Sequence, residues 1–141
     1  MEPKDVPQVA ALCTALGYPT SAEEVARRCE GLLARPDNGM FVGQDEATRT
    51  VYGWLHVYGV RLLETNGYAE IGGLVVMQSV RKSGIGRALV RASESWAYAH
   101  SYDEVRLRSG LHRDEAHQFY VAIGYTQEKA SYMFKRHTSP V

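Results

Sequence analysis

Apolar residues recur every three to four positions in two segments near the start of the chain, which predicts two amphipathic helices. The first covers residues 5–17, where Gly17 is suited to end it. The second begins at Ser21, because the run Ser-Ala-Glu-Glu fits a capping box. The positions expected to face the core are Val6, Val9, Ala10, Cys13 and Leu16 in the first helix and Val25, Cys29, Leu32 and Leu33 in the second.

The middle of the chain changes to the patterns of strands. Residues 36–39, Pro-Asp-Asn-Gly, are a strong turn signal, and a short strand is predicted over 40–44. Residues 71–77 are a short apolar run rich in β-branched residues, which is typical of a strand buried on both faces. Residues 51–61 alternate with a period of two, which places on one face the side chains of Tyr52, Trp54, His56 and Tyr58.

Helical spacing returns after the apolar run. The expected apolar stripe is Ile85, Ala88, Leu89, Ala92, Trp96 and Ala99. Val105 and Leu107 predict another strand, and a helix is expected from Asp114 to its terminating Gly124, followed by a last strand over 131–136. The order of two helices, two strands and then strand–helix–strand–helix–strand predicts an α/β (α+β) fold with a mixed sheet covered by helices.

A basic turn containing two glycines joins the apolar run to the third helix. It reads Arg81-Lys82-Ser83-Gly84-Ile85-Gly86. Glycine lets the backbone turn tightly and approach a ligand without obstruction by Cβ. The free N–H groups and the dipole at the start of the helix favour an anion. The turn therefore indicates a phosphate site, although a glycine pair before a helix also occurs for reasons of geometry alone.

Two nucleotide-binding motifs do not fit this turn. The chain has no G-x-x-x-x-G-K-[ST], and no G-x-G-x-x-G with an acidic residue about 20 positions further on. What remains is R-x-x-G-x-G after a hydrophobic strand. This pattern resembles the acetyl-coenzyme A signature of the GNAT superfamily of N-acetyltransferases, where the loop holds the pyrophosphate of the cofactor.

A second stretch extends the resemblance. Residues 113–120, R-D-E-A-H-Q-F-Y, followed by Gly124 and Tyr125, look like the closing motif of the family, N-x-x-A-x-x-F/L-Y and then G-F/Y. Arg113 stands where most members have asparagine, so the usual contact of that asparagine with coenzyme A is not implied here. The form R-x-x-A-H-x-F-Y is similar to the branch that contains aminoalkylphosphonate and aminoglycoside N-acetyltransferases.

The resemblance implies a GNAT-like fold as a single domain over residues 1–141. Its central sheet would be mixed and mostly antiparallel, flanked by about four helices, with a splayed β-α-β cofactor site. Members usually open with a strand before the first helix, whereas residues 1–4 alone precede it here. That edge strand is expected to be shortened, missing or supplied by another segment. A missing edge would expose the neighbouring strand and favour a homodimer.

The resemblance also implies transfer of an acetyl group from acetyl-coenzyme A to a primary amine by direct attack on the thioester. Backbone groups of Leu74, Val75 and Val76 would pair with the pantetheine amides and stabilise the oxyanion. Tyr120 occupies the position of the general acid that protonates the departing thiolate. The other implied cofactor contacts are Arg81, Lys82, Ser83, Gly84, Ile85, Gly86, Arg87, Ser109 and Ala116.

Both catalytic assignments have an alternative. Tyr120 lies on the apolar stripe of its helix, so it could be a core tyrosine whose hydroxyl is satisfied. Glu70 begins the central strand, on the face expected to carry Gly72 and Leu74. A carboxylate there can take a proton from the amine directly or through water, and it could equally be a solvated strand-end residue or an ion-pair partner.

Composition limits the partners. The 141 residues are 45% hydrophobic and 23% charged with zero formal net charge, which argues against a general nucleic-acid binder. No apolar run approaches the roughly 20 residues needed to span a bilayer, and the polar N-terminus shows no signal peptide. Cys13 and Cys29 are therefore expected to be free thiols in the cytoplasm.

Several functions remain to be distinguished. His112 and His117 are not on one helical face and no H-E-x-x-H motif is present, so no metal site is expected. The aromatic face of residues 52–58 could line an acceptor pocket, although packing is favoured. The leading interpretation is an enzyme that acetylates a small-molecule amine in a closed pocket. The alternatives are a protein N-terminal or lysine acetyltransferase, with an open groove beside residues 62–67, and a non-catalytic acyl-coenzyme A binding module.

Overall fold

The computed structural model describes residues 1–140, and the chain forms two units, the first over Met1–Arg108 and the second from Ser109 onward. The first unit opens with a 3-10 turn at Pro3–Asp5. Its further elements are α1 (Val6–Ala15), α2 (Ala22–Leu33), β1 (Asn38–Gln44), β2 (Val51–Val60), β3 (Tyr68–Val76), a second 3-10 turn (Gln78–Val80), α3 (Ile85–Ala99) and β4 (Val105–Leu107). The second unit contains α4 (Asp114–Ala122). The prediction of one domain over the whole chain stays a prediction.

A four-stranded sheet in the order β1-β2-β3-β4 is the centre of the first unit. β2 pairs with β1 and with β3 in antiparallel fashion, and β4 runs parallel to β3. This mixed, mostly antiparallel sheet with four helices in the described chain confirms the predicted fold class. None of the described helices is long and apolar enough to cross a membrane.

The alternation of β2 places its side chains on two different faces of the sheet. Leu55 and Val57 are fully buried on the face that α3 covers. Trp54 points the other way and packs against the core between α1 and α2. That core consists of Val6, Val9, Ala10, Leu12, Val25 and Val51. The predicted period of β2 is therefore confirmed from Gly53 to Tyr58, whereas a register shift between β1 and β2 places Val51 in the same core as Trp54.

The predicted inward faces of the helices are correct only in part. In α2, Ser21 accepts a hydrogen bond from the Glu24 N–H as the capping motif predicts, but Leu33 is 54% exposed. In α3, Ala88 and Ala99 are exposed, whereas Ser93 is completely buried. The Ser93 hydroxyl donates to the carbonyl oxygen of Val90 at 2.6 Å, which satisfies it inside the core. A prediction that assigns only apolar residues to the buried face of a helix cannot identify such a buried serine.

The predicted strand over residues 131–136 is wrong. This segment has no regular secondary structure, and Tyr132, Met133 and Phe134 are each at least 80% exposed. Its aromatic and apolar pattern suits a strand only where a neighbouring strand supplies ladder bonds and packing. No strand is paired with it in the described part of the chain.

The N-terminal residues form no strand within the described chain, in line with the expected departure at this edge. The amino group of Met1 donates a hydrogen bond to the Met40 carbonyl oxygen of β1 at 3.1 Å. β1 is the outermost strand on this side of the described sheet. Whether this edge supports a homodimer stays a prediction, which a monomeric mass in solution would contradict.

Candidate active site

Glu70 lies in the middle of a hydrogen-bonded chain on one face of the sheet. It is the cross-strand partner of Tyr58, whose hydroxyl donates to Glu70 Oε2 at 2.5 Å. Arg108, directly after β4, donates from Nε to Glu70 Oε1 at 3.2 Å. The Glu70 side chain is only 13% exposed. Both carboxylate oxygens therefore have partners, as expected if Glu70 is an ion-pair residue.

The Glu70 carboxylate raises the pKa of Tyr58 to about 12, because the hydrogen bond to the anion stabilises the protonated phenol. Burial and the negative charge act in the same direction. We expect Glu70→Gln to return the pKa of Tyr58 toward its ordinary value near 10. NMR titration of the assigned Tyr58 ring measures this. The control is Glu64→Gln in an exposed loop, and an unchanged Tyr58 pKa in Glu70→Gln contradicts the contact.

A β-bulge interrupts β3 between Glu70 and the proposed pantetheine segment. His56 pairs with Gly73 and Val57 pairs with Ile71, so Gly72 has no partner on β2. An extra residue in one strand inverts the alternation beyond it. Leu74 consequently lies opposite Leu55, on the face away from Glu70 and Tyr58. The expectation that Glu70 and Leu74 share a face is therefore wrong.

The Gly72–Gly73 pair is required by the aromatic side chains that cross it. A Cβ on Gly72 would lie 2.8 Å from the Tyr58 ring, and one on Gly73 would lie 2.7 Å from the Trp54 ring. Both distances are shorter than van der Waals contact allows. The two glycines were the only sign of the bulge in the sequence, because glycine within a strand marks a bulge or a close approach.

The aromatic face of β2 serves two purposes. Trp54 packs into the α1–α2 core, as the packing interpretation predicts. His56 and Tyr58 instead line a cavity of about 490 Å³ at the end of α2. The other lining residues are Leu32, Arg35, Pro36, Asp37, Asn38 and Gly59. A cavity whose lining is largely apolar, with a few polar side chains, thus lies beside the strand that pairs with the Glu70 strand.

One edge of β3 is open where the cofactor is expected. β4 pairs with β3 only from Ala69 to Ile71. Beyond this point, the same edge of β3 has no strand partner in the described chain. Gly72 is exposed and residues 73–76 are only half-buried, so the prediction of burial on both faces is wrong for this half. The backbone of Leu74, Val75 and Val76 can therefore accept an added strand-like ligand.

The basic turn has the geometry of an anion site. Gly84, the N-cap of α3, has a left-handed φ of 93°, and no side chain caps the helix. The first N–H groups of α3, from Ile85 to Arg87, consequently lack intrahelical partners. Arg81, Lys82 and Arg87 are exposed, and none has an ion-pair partner among the described residues. Ser83 donates its hydroxyl to the Val80 carbonyl oxygen. Uncompensated N–H groups and cations in one turn fit a pyrophosphate.

The remaining predicted residues lie in the second unit. Ser109 Oγ is buried without a hydrogen-bond partner in the described chain, and Ala116 on α4 is half-buried. Tyr120 is also half-buried, and burial raises the pKa of its phenol. Its ring has an edge contact with Phe119 at a centroid distance of 5.3 Å. No described residue forms a hydrogen bond with the Tyr120 hydroxyl. The alternative of a core tyrosine requires such a partner.

The two histidines of this unit do not form a metal cluster in the described residues. His117 Nε2 lies 2.8 Å from the carbonyl oxygen of Gly110, an acceptor that places the ring proton on this nitrogen. Within residues 1–140, no group of three or more His, Cys, Asp or Glu side chains is arranged to hold a metal ion. The expected lack of a metal stays a prediction.

Solved structures similar to this one include proteins described as acetyltransferases. No curated protein sequence matches the chain significantly. The solved AAC(6')-Ih, an aminoglycoside 6'-N-acetyltransferase from Acinetobacter baumannii, is similar with a TM-score of 0.82 and 20% identity, over 99% of this chain and 96% of that one. An aminoglycoside acetyltransferase from an uncultured soil sample, in complex with sisomicin, has a TM-score of 0.81 and 21% identity, over 99% and 93% of the chains.

A third solved structure is AAC(6')-Iy in complex with the bisubstrate analogue CoA-S-monomethyl-acetylneamine. It is similar with a TM-score of 0.84 and 13% identity, over 98% of this chain and 95% of that chain. At these identities, the likeness shows the fold.

The family itself is shown by a sequence model of the acetyltransferase (GNAT) family, which matches residues 8–125. That match includes both motifs and confirms the predicted enzyme class, an N-acetyltransferase with acetyl-coenzyme A as cosubstrate. The chain belongs to the acetyltransferase (GNAT) family.

Proposed function

We propose that this enzyme transfers the acetyl group of acetyl-coenzyme A to a primary amine of a small molecule by direct attack on the thioester. The observation that carries the proposal is the turn from Arg81 to Gly86. Its uncapped helix start and unpaired cations directly follow the open edge of β3. An anion site continuous with a free strand edge suits a cosubstrate that has a pyrophosphate and an amide-containing arm.

The residues of the open edge take the binding roles. Leu74, Val75 and Val76 pair with the pantetheine amides as an added strand, and one of their N–H groups donates to the oxyanion of the tetrahedral intermediate. Arg81, Lys82 and the N–H groups of Ile85, Gly86 and Arg87 bind the pyrophosphate. Ser109 and Ala116 are assigned to the cofactor by their motif positions.

Tyr120 is proposed as the proton donor to the departing thiolate. Its place in the closing motif supports this role, and a hydroxyl without a partner among the described residues is available to donate. The raised pKa keeps the phenol protonated at neutral pH, as a general acid requires. Both carboxylate oxygens of Glu70 already accept hydrogen bonds. We therefore propose that Glu70 holds the side chains beside the acceptor site in place.

The cavity beside β2 supports a small-molecule acceptor. It is bounded by the end of α2, β1 and β2, and Asp37, Asn38, His56 and Tyr58 supply polar groups suited to an amine. Because similar folds include enzymes described as aminoglycoside acetyltransferases, small polyamines of that kind are the first acceptors to test. A protein N-terminal or lysine acceptor is the alternative within the same enzyme class.

The experiment is a product assay by mass spectrometry. The protein is incubated with acetyl-coenzyme A and separately with neamine, sisomicin, spermidine and a lysine-containing peptide. We expect one of the small amines to gain an acetyl group at a rate proportional to enzyme concentration. Acetylation of the peptide alone would favour the protein-directed alternative. Binding of acetyl-coenzyme A without any product would indicate the non-catalytic module.

A further inference from the structure

We propose that His56 is the base that removes the proton from the acceptor amine, an inference that rests on the function proposed above. Within β2, His56 is paired in register with Gly73, the residue before the proposed pantetheine segment. It is also one of the residues that line the cavity at the end of α2. The imidazole therefore lies between the expected acceptor and the strand that would hold the thioester.

The contacts of His56 determine which ring nitrogen is free. Nε2 lies 2.9 Å from Asn38 Oδ1, and an amide oxygen accepts a hydrogen bond, so Nε2 carries the ring proton. The lone pair is then on Nδ1, which faces the bulge, 3.5 Å from where a Cβ on Gly72 would lie. Asn38 thereby holds the tautomer that a general base needs.

Nδ1 of His56 is both unpaired and accessible. It has no hydrogen-bond partner among the described residues. In that part of the chain, the buried side-chain nitrogen and oxygen atoms without a partner are Trp54 Nε1 and Ser109 Oγ. Because His56 Nδ1 is not one of them, it is not completely buried, and we propose that an amine or a water reaches it from the side of Gly72.

Glu70 is less suited to this step. Its oxygens accept from Tyr58 and Arg108, so it would have to lose one of these bonds to receive a proton from the amine. Burial lowers the pKa of His56, which keeps the imidazole neutral near pH 7. The charged and titratable side chains around it are Arg35 and Asp37 from the α2–β1 turn, Tyr58 from β2 and, through Tyr58, Glu70 with Arg108.

The protons balance over the whole reaction. The acceptor enters as an ammonium ion, and His56 Nδ1 takes one proton. The neutral amine forms the C–N bond at the thioester carbonyl carbon, the C–S bond breaks, and the thiolate takes a proton from Tyr120. The second amine proton restores Tyr120 through solvent, and the imidazolium releases its proton to solvent. The net products are one amide, one coenzyme A thiol and one proton.

The kinetic test compares His56→Gln with wild type, using the amine of the panel above that wild type acetylates. We expect kcat to fall about 100-fold near neutral pH. In the wild type, kcat should fall on the acid side of its pH profile as His56 becomes protonated, with a pKa below about 6.5. In His56→Gln the acid-side fall of kcat should instead follow the pKa of the acceptor amine, because only amine that is already deprotonated in solution can then react. His137→Gln, in the exposed tail, is the matched control.

An NMR measurement tests the tautomer independently of turnover. Ring nitrogen shifts should show His56 neutral and protonated on Nε2 near pH 7. His100 is an internal contrast, because its Nδ1 lies 2.8 Å from the Trp96 carbonyl oxygen and so carries the proton. A charged His56, or one protonated on Nδ1, overturns the proposal.

The kinetic outcomes separate this inference from the proposed function. His56→Gln with the wild-type kcat and pH profile overturns the role of His56 and leaves the acetyltransferase intact. A wild-type enzyme that acetylates no amine of the panel contradicts the proposed function, and the role of His56 falls with it. A lowered kcat with a shifted acid limb and an unchanged Kd for acetyl-coenzyme A supports both.

Discussion

Replacing Tyr120 by phenylalanine is expected to lower kcat about 100-fold, the usual contribution of a general acid. The expelled thiolate would then have to take its proton from water. Phenylalanine keeps the ring and its edge contacts with Phe119 and Tyr125, so the fold and the binding of acetyl-coenzyme A should not change. Steady-state kinetics and calorimetry measure the two quantities separately.

The control for this variant is Tyr132→Phe, which removes the same hydroxyl from a side chain that is 87% exposed. It should have wild-type kinetics. We expect the kcat of the wild type to fall at alkaline pH as Tyr120 ionises, and this fall should be absent in Tyr120→Phe. A Tyr120→Phe enzyme with the wild-type kcat would show that Tyr120 is a core residue.

Replacing Gly59 by alanine is expected to have the largest effect on stability, a loss of about 3 kcal/mol in the free energy of unfolding. The added Cβ would lie 2.6 Å from Tyr102 Cζ and 2.9 Å from Asp37 Oδ2. Tyr102 donates to this oxygen at 2.8 Å, and Arg61 donates to it at 3.2 Å. Alanine would therefore displace the Tyr102 ring and break its hydrogen bond to a carboxylate.

Urea unfolding measures the change, and Gly31→Ala is the matched control. Gly31 lies within α2, and no atom lies within 4 Å of the place that an added Cβ would take. Alanine there should therefore stabilise the protein by about 0.5–1 kcal/mol. Equal stabilities of the Gly59→Ala and wild-type proteins would mean that Tyr102 and Asp37 are not packed against this strand.

Periodicity predicted the helices and most strands because their burial follows local pattern. Residues 53–58 alternate within β2, and Ser21 caps α2 as its motif predicts. Ser93 shows the limit of this reasoning, since its burial depends on a hydrogen bond to Val90 that no hydropathy pattern contains. Residues 131–136 have the composition of a strand but no partner in the described chain, because strand pairing is non-local.

The candidate site could be predicted where it depends on backbone geometry and not where it depends on register. The motif placed Gly84 at the start of α3, and its left-handed φ agrees with that role. The bulge at Gly72 was not predicted, because an unpaired residue is defined only by the neighbouring strand. Without it, the sequence could not show that Glu70 and Leu74 lie on opposite faces. The contact of His56 with Asn38 likewise depends on the pairing of β1 with β2.

The central claim is that the turn from Arg81 to Gly86 binds coenzyme A. Calorimetric titration with acetyl-coenzyme A, with coenzyme A lacking its 3'-phosphate and with ATP tests it most directly. We predict that acetyl-coenzyme A binds at least about tenfold more tightly than ATP, since only the former pairs with the open edge of β3. Arg81→Gln should weaken this binding, whereas Arg91→Gln on the exposed side of α3 should not. A folded wild-type protein that does not bind acetyl-coenzyme A would contradict the account.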